Sequence, residues 1–403
     1  MKILYLHQYF NTPLMVGSTR SYEMARRMVA AGHEVHLVTS RRESEHASPG
    51  WQVENIEGIN VYWLPVSYSN KLGYLARIKA FFDFAIKCSL KTRSISADLV
   101  FATSTPLTIA IPGVLAKWQK RVPMVFEVRD LWPEIPIAVG VLKSPLTIWA
   151  ARILESWAYK HADTVIGLSS GMCEGLIKNG CDPEVVHNIP NSSDVELFRI
   201  GQESGSKLRA SHEWLKDRPL VVYAGTLGQI NGVSYMVELA EAMLSIDPEV
   251  RFLVVGSGYD QESIRESAIT REVYEKNFFM WDSISKDEVP ALYSAATVVT
   301  SLFLPIREMW ANSANKFFDG LAAAKPIVIN YGGWQAKLLE KNGAGITLCD
   351  LSTKDAAGKL YELLVDEVRL KEYAEQSGRL GSKEFSRELL AEKLIRILED
   401  VGR

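Results

Sequence analysis

The stretch from residue 305 to residue 330, PIREMWANSANKFFDGLAAAKPIVIN, constrains the fold more than any other part of the chain. It follows an apolar strand-like run that ends at Phe303, and it opens with a polar turn that contains proline. Apolar residues at helical spacing come next, and Ile327–Ile329 is the following strand. A strand–turn–helix–strand unit is typical of an open parallel sheet, which holds ligands beyond the carboxyl ends of its strands.

The turn of this unit offers groups that suit an anion. Asn312, Ser313 and Asn315 open the helix, so unpaired backbone N–H groups are expected at its N-terminus, and Lys316 adds a positive charge. These are the groups with which helix N-termini bind phosphates. Asp319, one turn further, is an acid on a helix that otherwise has a buried pattern. The alternative is that Lys316 and Asp319 lie on an ordinary solvated helix face.

The same alternation of strands and helices runs through the whole chain. At 403 residues the chain exceeds the size at which single hydrophobic cores stop growing. The sequence therefore predicts two doubly wound, parallel-sheet α/β domains, of residues 1–192 and 193–403, with the turn cluster Pro190–Asp194 as the hinge. Such a pair is expected to hold its ligand in the cleft between the domains. The last helix, about residues 384–403, is a candidate for packing back on the first domain.

Composition and cysteine spacing exclude several classes of protein. A formal net charge of -3 does not favour a nucleic-acid partner, which calls for a strongly basic domain. The four cysteines are far apart and form no CxxC or Cys/His cluster, so the sequence predicts no structural metal site and reduced thiols in the cytoplasm. No run of 18 apolar residues occurs, so no membrane span is predicted.

Residues 71–94 form a basic segment rich in aromatic residues. Lys71, Lys79 and Lys87 alternate there with phenylalanines and leucines, against the single acid Asp83. A helix of this composition is typical of one that lies on an anionic membrane surface. The alternative is a surface helix that packs its aromatic side on the sheet and leaves its lysines in water.

Several loops at strand ends suit phosphate contacts. In the second half they are Gly225–Gly232, Gly256–Gly258 and the turn before Lys316. In the first half, Gly17–Arg20 follows the first strand and could complete a diphosphate site, although Ser18 could equally be a helix cap. None matches a named motif, because Gln261 stands where GxGxxG needs its third glycine, and no P-loop or GxSxG sequence is present.

These segments together resemble the family-4 retaining glycosyltransferases of the GT-B fold, which has two Rossmann-like domains facing across a cleft. The resemblance spans nearly the whole chain. It is strongest to the subgroup that makes O-antigen (lipopolysaccharide) and capsule repeats, and within it to transferases of N-acetyl-L-fucosamine. It is carried by GSTRSYE at 17–23, VRDLWPE at 128–134, YAGTLG at 223–228, NG at 231–232 and, most specifically, NKFFDGLAAAKP at 315–326.

The resemblance and the loop positions together imply a set of donor-binding residues. Asp319 matches the acidic position that in the family holds the ribose hydroxyls of the nucleotide, a role that suits the acceptor oxygens of a carboxylate. The remaining donor-binding candidates lie at strand ends or helix starts: Gly17, Ser18, Arg20, Gly225, Thr226, Asn231, Gly256, Ser313, Ala314 and Asn315.

The chain departs from the family pattern where charge matters most. Ala311 occupies the first acidic position of the family, for which Glu308 is the candidate replacement. Thr226 and Asn231 stand where the family usually places an arginine and a lysine that stabilise the departing diphosphate. Another cation must then neutralise the charge on the leaving group.

Three cations are candidates for that task. Lys316 is the first choice and Arg307 the second, both from the turn and helix described at the outset. Arg20 could contribute from the first domain.

The reaction implied by the resemblance moves a sugar, with retention, from a nucleotide diphosphate, expected to be UDP, to a polyprenyl-diphosphate-linked saccharide. A phosphate oxygen of the leaving group takes the acceptor proton, and Asp130 and Glu134 are the candidates for orienting the acceptor hydroxyl. No metal or other cofactor is expected, since lysine, arginine and helix N-termini can serve the phosphates. The expected location is the inner face of the cytoplasmic membrane. The alternatives are a sugar-nucleotide epimerase of the same fold and a non-catalytic protein that binds sugar nucleotides.

Overall fold

A computed structural model of the chain describes residues 1–15, 17–41, 50–66, 74–199 and 202–403. The chain divides into two compact units. The first unit comprises Met1–Pro190 and Ala391–Arg403, and the second comprises Asn191–Leu390. Each contains one predominantly parallel sheet with helices between its strands, so the predicted α/β class is confirmed.

The first unit is built on an eight-stranded sheet. Its strands are β1 (Lys2–Leu6), β2 (Glu34–Arg41), β3 (Gln52–Ile56), β4 (Ile59–Pro65), β5 (Leu99–Thr103), β6 (Met124–Val128), β7 (Thr164–Gly167) and β8 (Val186–Asn188). Its helices are α1 (Arg20–Ala30), α2 (Tyr74–Thr92), α3 (Ala110–Lys120), α4 (Glu134–Ala138), α5 (Pro145–His161) and α6 (Ser170–Lys178).

The strand order of this sheet is β3-β4-β2-β1-β5-β6-β7-β8, and every neighbouring pair is parallel except the β3–β4 hairpin. From β1 the chain first moves to β2 on one side and later to β5 on the other side. The topological switch point therefore lies between β1 and β5, and the loops that follow these two strands and β6 meet at one edge of the sheet.

The second unit is built on a six-stranded parallel sheet of order β11-β10-β9-β12-β13-β14. Its strands are β9 (Leu220–Ala224), β10 (Arg251–Val255), β11 (Phe278–Trp281), β12 (Val298–Ser301), β13 (Ile327–Ile329) and β14 (Gly345–Thr347). Its helices are α7 (Val195–Phe198), α8 (Gln202–Ala210), α9 (Ser234–Leu244), α10 (Gln261–Thr270), α11 (Val289–Ala295), α12 (Asn315–Ala322), α13 (Trp334–Asn342), α14 (Thr353–Leu364) and α15 (Glu367–Lys383).

A last helix, α16 (Arg387–Gly402), begins in the second unit and ends in the first. In the second unit the switch point lies between β9 and β12, because β10 and β11 extend the sheet on one side and β13 and β14 on the other. The loops after β9 and β12 are Gly225–Gly232 and the turn before α12, two of the three segments in this half that the sequence predicts to bind phosphate.

The central strands are buried along their whole length, as parallel strands covered on both faces must be. All five residues of β5, β6, β9 and β10 are buried. In the first unit Phe84 and Phe126 belong to the core, and in the second unit Phe252 and Phe278 do. A ligand can therefore reach these strands only near their ends, where the loops of the two switch points lie.

Helix α2 contains residues 74–92 of the basic segment, and residues 93–94 form the turn after it. Lys71 and the rest of residues 71–73 lie outside the described residues. One face of α2 packs on the sheet through Phe84 and Cys88, which are buried. Phe82 and Ile86 are 44% and 60% exposed, so the helix also presents an apolar outer surface. No helix in the described residues is both long and apolar enough to cross a membrane.

A buried ion pair joins α1 to the sheet of the first unit. The Arg20 guanidinium contacts Glu127 Oε1 at 2.7 Å, and the two side chains are 3% and 0% exposed. Arg20 also donates to the carbonyl oxygens of Ile189 and Pro190 after β8, and Thr103 donates to Glu127 Oε2. Burial alone raises the pKa of Glu127, but the charges of Arg20 and Arg129 lower it overall.

Replacing Glu127 should destabilise the first unit, because Arg20 would remain buried without its counter-ion. We expect Glu127→Gln to lower the free energy of unfolding by about 3 kcal/mol. The exposed pair between Asp83 and Lys87 provides the control, and Asp83→Asn should cost less than about 1 kcal/mol. Urea denaturation followed by circular dichroism measures both. Equal effects of the two substitutions would contradict a structural role for the buried pair.

Candidate active site

Two loops at the switch point of the second unit place Lys316 against the first glycine of the β9 loop. Gly225 has a φ of 146°, and a Cβ built on it would overlap Lys316 Cε. Only glycine therefore fits there without displacing the lysine. The N–H of Gly225 donates to Val255 and that of Gly256 to Trp281, which fixes the loops after β9 and β10 beside each other.

The Lys316 ammonium is held by neutral groups. Its Nζ atom donates to Asn231 Oδ1 at 3.3 Å and lies 5.0 Å from the centroid of the Tyr223 ring. Asn231 is itself fixed, because its Nδ2 atom donates to the carbonyl oxygen of Thr226 at 3.0 Å. Within the described parts of the chain the ammonium makes no ion pair. Burial lowers the pKa of Lys316 to about 8, although Asp319 opposes this shift. A partly desolvated cation without a counter-ion is suited to bind an anion.

Helix α12 begins beside this ammonium. Ala314 precedes the helix and provides no side-chain cap, so the first N–H groups of α12 have no such partner. Asn315 is exposed, whereas Ser313 is buried and accepts hydrogen bonds from Asn191 through its hydroxyl and carbonyl oxygens. Ser313 therefore anchors the turn within the second unit. The uncapped N-terminus adds a partial positive charge to that of Lys316.

Asp319 lies one turn further along α12 and is partly buried. Burial raises its pKa overall, while the nearby Ser193 hydroxyl and the Arg387 guanidinium lower it. Arg387 contacts Asp194 at 3.0 Å, so that pair is already matched in charge. The acid that the sequence places close to the Lys316 turn, Asp319, thus lies on the same helix as the lysine, three residues after it.

The structure does not bring Arg307 and Glu308 into this cluster. Both are exposed on a short 3-10 helix, Arg307–Ala311, and Arg307 lies over the Trp310 ring at 5.5 Å. Within the described residues neither side chain makes a hydrogen bond or an ion pair with the Gly225–Gly232 loop. Of the candidates on the segment 305–316, Lys316 is the cation that touches the loop after β9.

In the first unit the structure gives Arg20 a different place from the predicted one. The sequence offers Arg20 as a diphosphate ligand because it follows the Gly17–Ser18 loop. Its guanidinium instead points into the protein and pairs with Glu127, so its charge is balanced within the unit. The contacts of Arg20 therefore provide no support for the predicted role.

Arg129 takes the place at the strand edge that the sequence assigned to Arg20. Its guanidinium donates to Ser18 Oγ at 2.9 Å and lies 3.3 Å from His7 Nε2. The sequence analysis assigns roles to the two acids of the VRDLWPE segment, Asp130 and Glu134, and none to Arg129. The signal was available, since Arg129 is the first residue after β6.

The two predicted acceptor-side acids are in different environments. Asp130 is half-buried and accepts a hydrogen bond from the Thr105 hydroxyl at 2.8 Å. Glu134 begins α4, and its Oε2 atom is buried without a hydrogen-bond partner in the described part of the chain. Burial, followed by the charge of Glu134, raises the pKa of Glu155 to about 7.

Comparison with known proteins decides the family. Residues 17–192 match the model of the glycosyl transferase 4-like domain, and residues 218–366 match the model of glycosyl transferases group 1. Between them the two models span most of the chain. The chain belongs to the group 1 glycosyltransferases. It is therefore an enzyme.

Individual relatives of this glycosyltransferase are distant in sequence. The probable glycosyltransferase WbjE of Pseudomonas aeruginosa is 23% identical over 70% of each chain. Crystal structures of HepE from Anabaena, one of them in complex with UDP, share 18% identity and superpose with a TM-score of 0.75, covering 99% of this chain and 100% of HepE. WaaG, a glycosyltransferase involved in lipopolysaccharide biosynthesis, gives 15% identity and a TM-score of 0.70 over 98% of this chain and 99% of its own. These likenesses confirm the predicted GT-B fold.

Gly225→Ala should disturb this glycosyltransferase both in backbone and at Lys316. The new Cβ would meet the lysine, and the backbone there has a φ that only glycine adopts freely. We therefore expect the free energy of unfolding to fall by about 1–3 kcal/mol. Gly358→Ala is the control, because nothing lies within 4 Å of its added Cβ inside α14. Gly358→Ala should raise the free energy of unfolding by about 0.5–1 kcal/mol. Urea denaturation measures both, and a Gly225→Ala protein as stable as the control would refute the steric argument.

Proposed function

We propose that this glycosyltransferase moves a sugar, with retention, from a UDP-linked donor to a polyprenyl-diphosphate-linked saccharide in the synthesis of a surface polysaccharide such as O-antigen. The observation that carries the proposal is the Lys316 ammonium, which lies at the uncapped start of α12 with Asn231 as its partner and without a carboxylate in ion-pair contact among the described residues. A charged, partly desolvated donor at a helix N-terminus is complementary to a diphosphate.

The UDP donor is supported by the second unit. HepE, which has the same fold, has been crystallised with UDP and with UDP-glucose. In the present chain Asp319 supplies two acceptor oxygens on the helix that begins with Lys316, which suits a ribose diol close to a diphosphate. N-acetyl-L-fucosamine is the donor sugar that the sequence resemblance favours.

In the proposed reaction the bond between donor C1 and the β-phosphate oxygen breaks as C1 gains positive character. Negative charge then develops on the UDP leaving group, where Lys316 and the N-terminus of α12 stabilise it more strongly than they stabilise the bound donor. The acceptor oxygen forms its bond to C1 on the same face, and its proton passes to the leaving phosphate oxygen. The protein's own cations take the charge in this scheme, without a metal ion.

Acceptor binding is assigned to the first unit. Asp130 is oriented by the Thr105 hydroxyl, and an ionised carboxylate held in this way can accept a hydrogen bond from the incoming sugar hydroxyl. Glu134 is the second candidate, because its Oε2 atom accepts no hydrogen bond from the described residues.

A membrane-bound acceptor also suits the outer surface of α2. Phe82, Ile86 and Leu90 are spaced by four residues and are all exposed, so they form one apolar stripe along the helix. Lys79 and Lys87 are exposed beside it. Apolar side chains flanked by lysines are the combination that binds an anionic bilayer surface.

Helix α5 presents a second surface of the same kind. Leu146, Trp149 and Ile153 are 71%, 61% and 48% exposed. Lys143, which lies just before the helix, is exposed as well. Helix α3 contacts both α2 and α5. The first unit is therefore proposed to lie on the inner face of the cytoplasmic membrane through these helices.

Transfer of a radiolabelled sugar from a UDP donor into a lipid extract tests the proposed function. Label in the lipid fraction supports it. Epimerised free donor would favour the epimerase alternative, and donor binding without turnover would favour a non-catalytic protein. Either result would overturn the proposal.

Lys316 should impose a pH limit on the reaction. Since its pKa is about 8 in the free enzyme, kcat/KM should fall above that pH, by roughly tenfold for each further pH unit, as the ammonium loses its proton. Lys316→Arg should abolish this fall because arginine stays charged, and Lys316→Met should lower kcat/KM by about 10²–10³-fold at neutral pH.

Lys337→Met, at an exposed position on α13, is the matched control and should leave the profile unchanged. A wild-type profile that stays flat beyond pH 9.5, or a Lys316→Met variant with normal turnover, would show that another group neutralises the leaving diphosphate.

Vesicle sedimentation tests the membrane surface. Wild-type protein should sediment with vesicles rich in phosphatidylglycerol at low salt, and Lys79→Glu should weaken the partition coefficient by roughly tenfold or more, at about 1 kcal/mol for each basic charge. Ile86→Gln should also weaken binding, because it removes apolar area from the stripe. Val53→Gln, on the exposed part of β3, should have no effect. Absence of wild-type binding under these conditions would sink the membrane proposal.

A further inference from the structure

A second cation that makes no ion pair among the described residues lies beside the switch point of the first unit, at the end of β6. Arg129 follows β6 and is half-buried beside the loop that carries Ser18. Glu127, a deeply buried carboxylate nearby, is already engaged on one oxygen by Arg20 and on the other by Thr103. The charges of both Arg20 and Arg129 lower the pKa of this carboxyl, but of these two arginines only Arg20 is hydrogen-bonded to it among the described residues.

The guanidinium of Arg129 is held in place by hydrogen bonds that use only some of its N–H groups. One N–H group donates to Ser18 Oγ and one to His7 Nε2. Because arginine only donates, His7 must accept at Nε2, so its proton lies on Nδ1, next to the Ser21 hydroxyl at 2.9 Å. This leaves three of the five guanidinium N–H groups without an acceptor in the described residues.

The Ser18 hydroxyl offers a further hydrogen-bond donor beside Arg129. Its oxygen accepts from Arg129 and, at 3.5 Å, from the backbone N–H of Arg20, so its own hydroxyl proton has no acceptor among the described residues. The loop is held in place by Asn11, whose Nδ2 atom donates to the Ser18 carbonyl oxygen at 3.3 Å. A rigid guanidinium fork beside a free hydroxyl proton matches the several oxygens of a diphosphate.

From this arrangement we infer that Arg129, positioned by Ser18 and His7, is a diphosphate ligand of the first unit. The inference rests on the proposed function, which supplies two diphosphates, that of the UDP donor and that of the prenyl-linked acceptor. It assigns to Arg129 the role that Arg20 cannot fill while it pairs with Glu127.

Binding measurements on Arg129→Met test the inference. In a Lys316→Met background, which removes the diphosphate site proposed in the second unit, inorganic diphosphate should bind Arg129→Met at least tenfold more weakly than protein that keeps Arg129, whichever molecule supplies the group in the reaction. Titration with UDP and UMP forms the donor arm: if Arg129 serves the donor, UDP binding weakens tenfold and UMP binding much less. Titration with a short-chain prenyl diphosphate that carries one N-acetylhexosamine forms the acceptor arm.

Two further variants separate recognition from folding. Arg129→Lys keeps the charge but not the fork, so it should recover part of the lost affinity, whereas a purely structural role predicts no ligand-dependent difference. Arg396→Met, on the exposed side of α16 in the same unit, should bind all probes like the wild type. If Arg129→Met stays folded by circular dichroism and changes every affinity by less than twofold, the inference is wrong. A wild type that binds the prenyl diphosphate but not UDP would instead defeat the proposed donor and leave Arg129 to be judged on the acceptor arm.

Discussion

Parallel strands that are covered on both faces can place ionisable groups almost only where the strands end. In this chain β5, β6, β9 and β10 are buried at every residue, so a ligand meets these strands at the loops beyond their ends. The switch points then decide which loops meet there. Both candidate sites follow from this one constraint, although the two units meet it with different residues.

The two sites treat buried charge in opposite ways. In the first unit Glu127 and Arg20 neutralise each other deep in the protein, where a single unpaired charge would cost several kcal/mol. In the second unit Lys316 is only partly buried and has a neutral amide as its partner. The first arrangement stabilises the fold, and the second leaves a charge available to a ligand. Asn231, which stands where the family usually has a lysine, positions a cation rather than supplying one.

The sequence predicted the architecture, but not how charges are paired; the role of Lys316 stays a prediction. Arg20 shows the reason: its position after a glycine-bearing loop does not reveal that its long side chain turns back to Glu127, 107 positions away in sequence. Because of the same long-range pairing, Arg129 makes no ion pair among the described residues. No local pattern contains that information, because it depends on which strands are neighbours.

Some helices were also harder to predict than others. Helix α13 begins after two glycines without a capping residue, so its start carries no sequence signal. Helix α15 continues to Lys383 through Gly378 and Gly381, residues that in a sequence favour a helix end. A Cβ at Gly381 would lie 2.8 Å from the backbone of Leu321 in α12, so this glycine allows two helices to approach closely instead of ending one.

Lys316 makes no ion pair among the described residues, and this has a consequence for the stability of the protein as well as for catalysis. A cation that is partly desolvated and unpaired costs free energy until an anion arrives, and a ligand that binds only the folded state adds RT ln(1 + [L]/Kd) to its stability. If the donor is the proposed nucleotide sugar, the concentration of that metabolite also sets the fraction of enzyme that is exposed to proteolysis. Scarcity of donor would then reduce the amount of the enzyme as well as its rate.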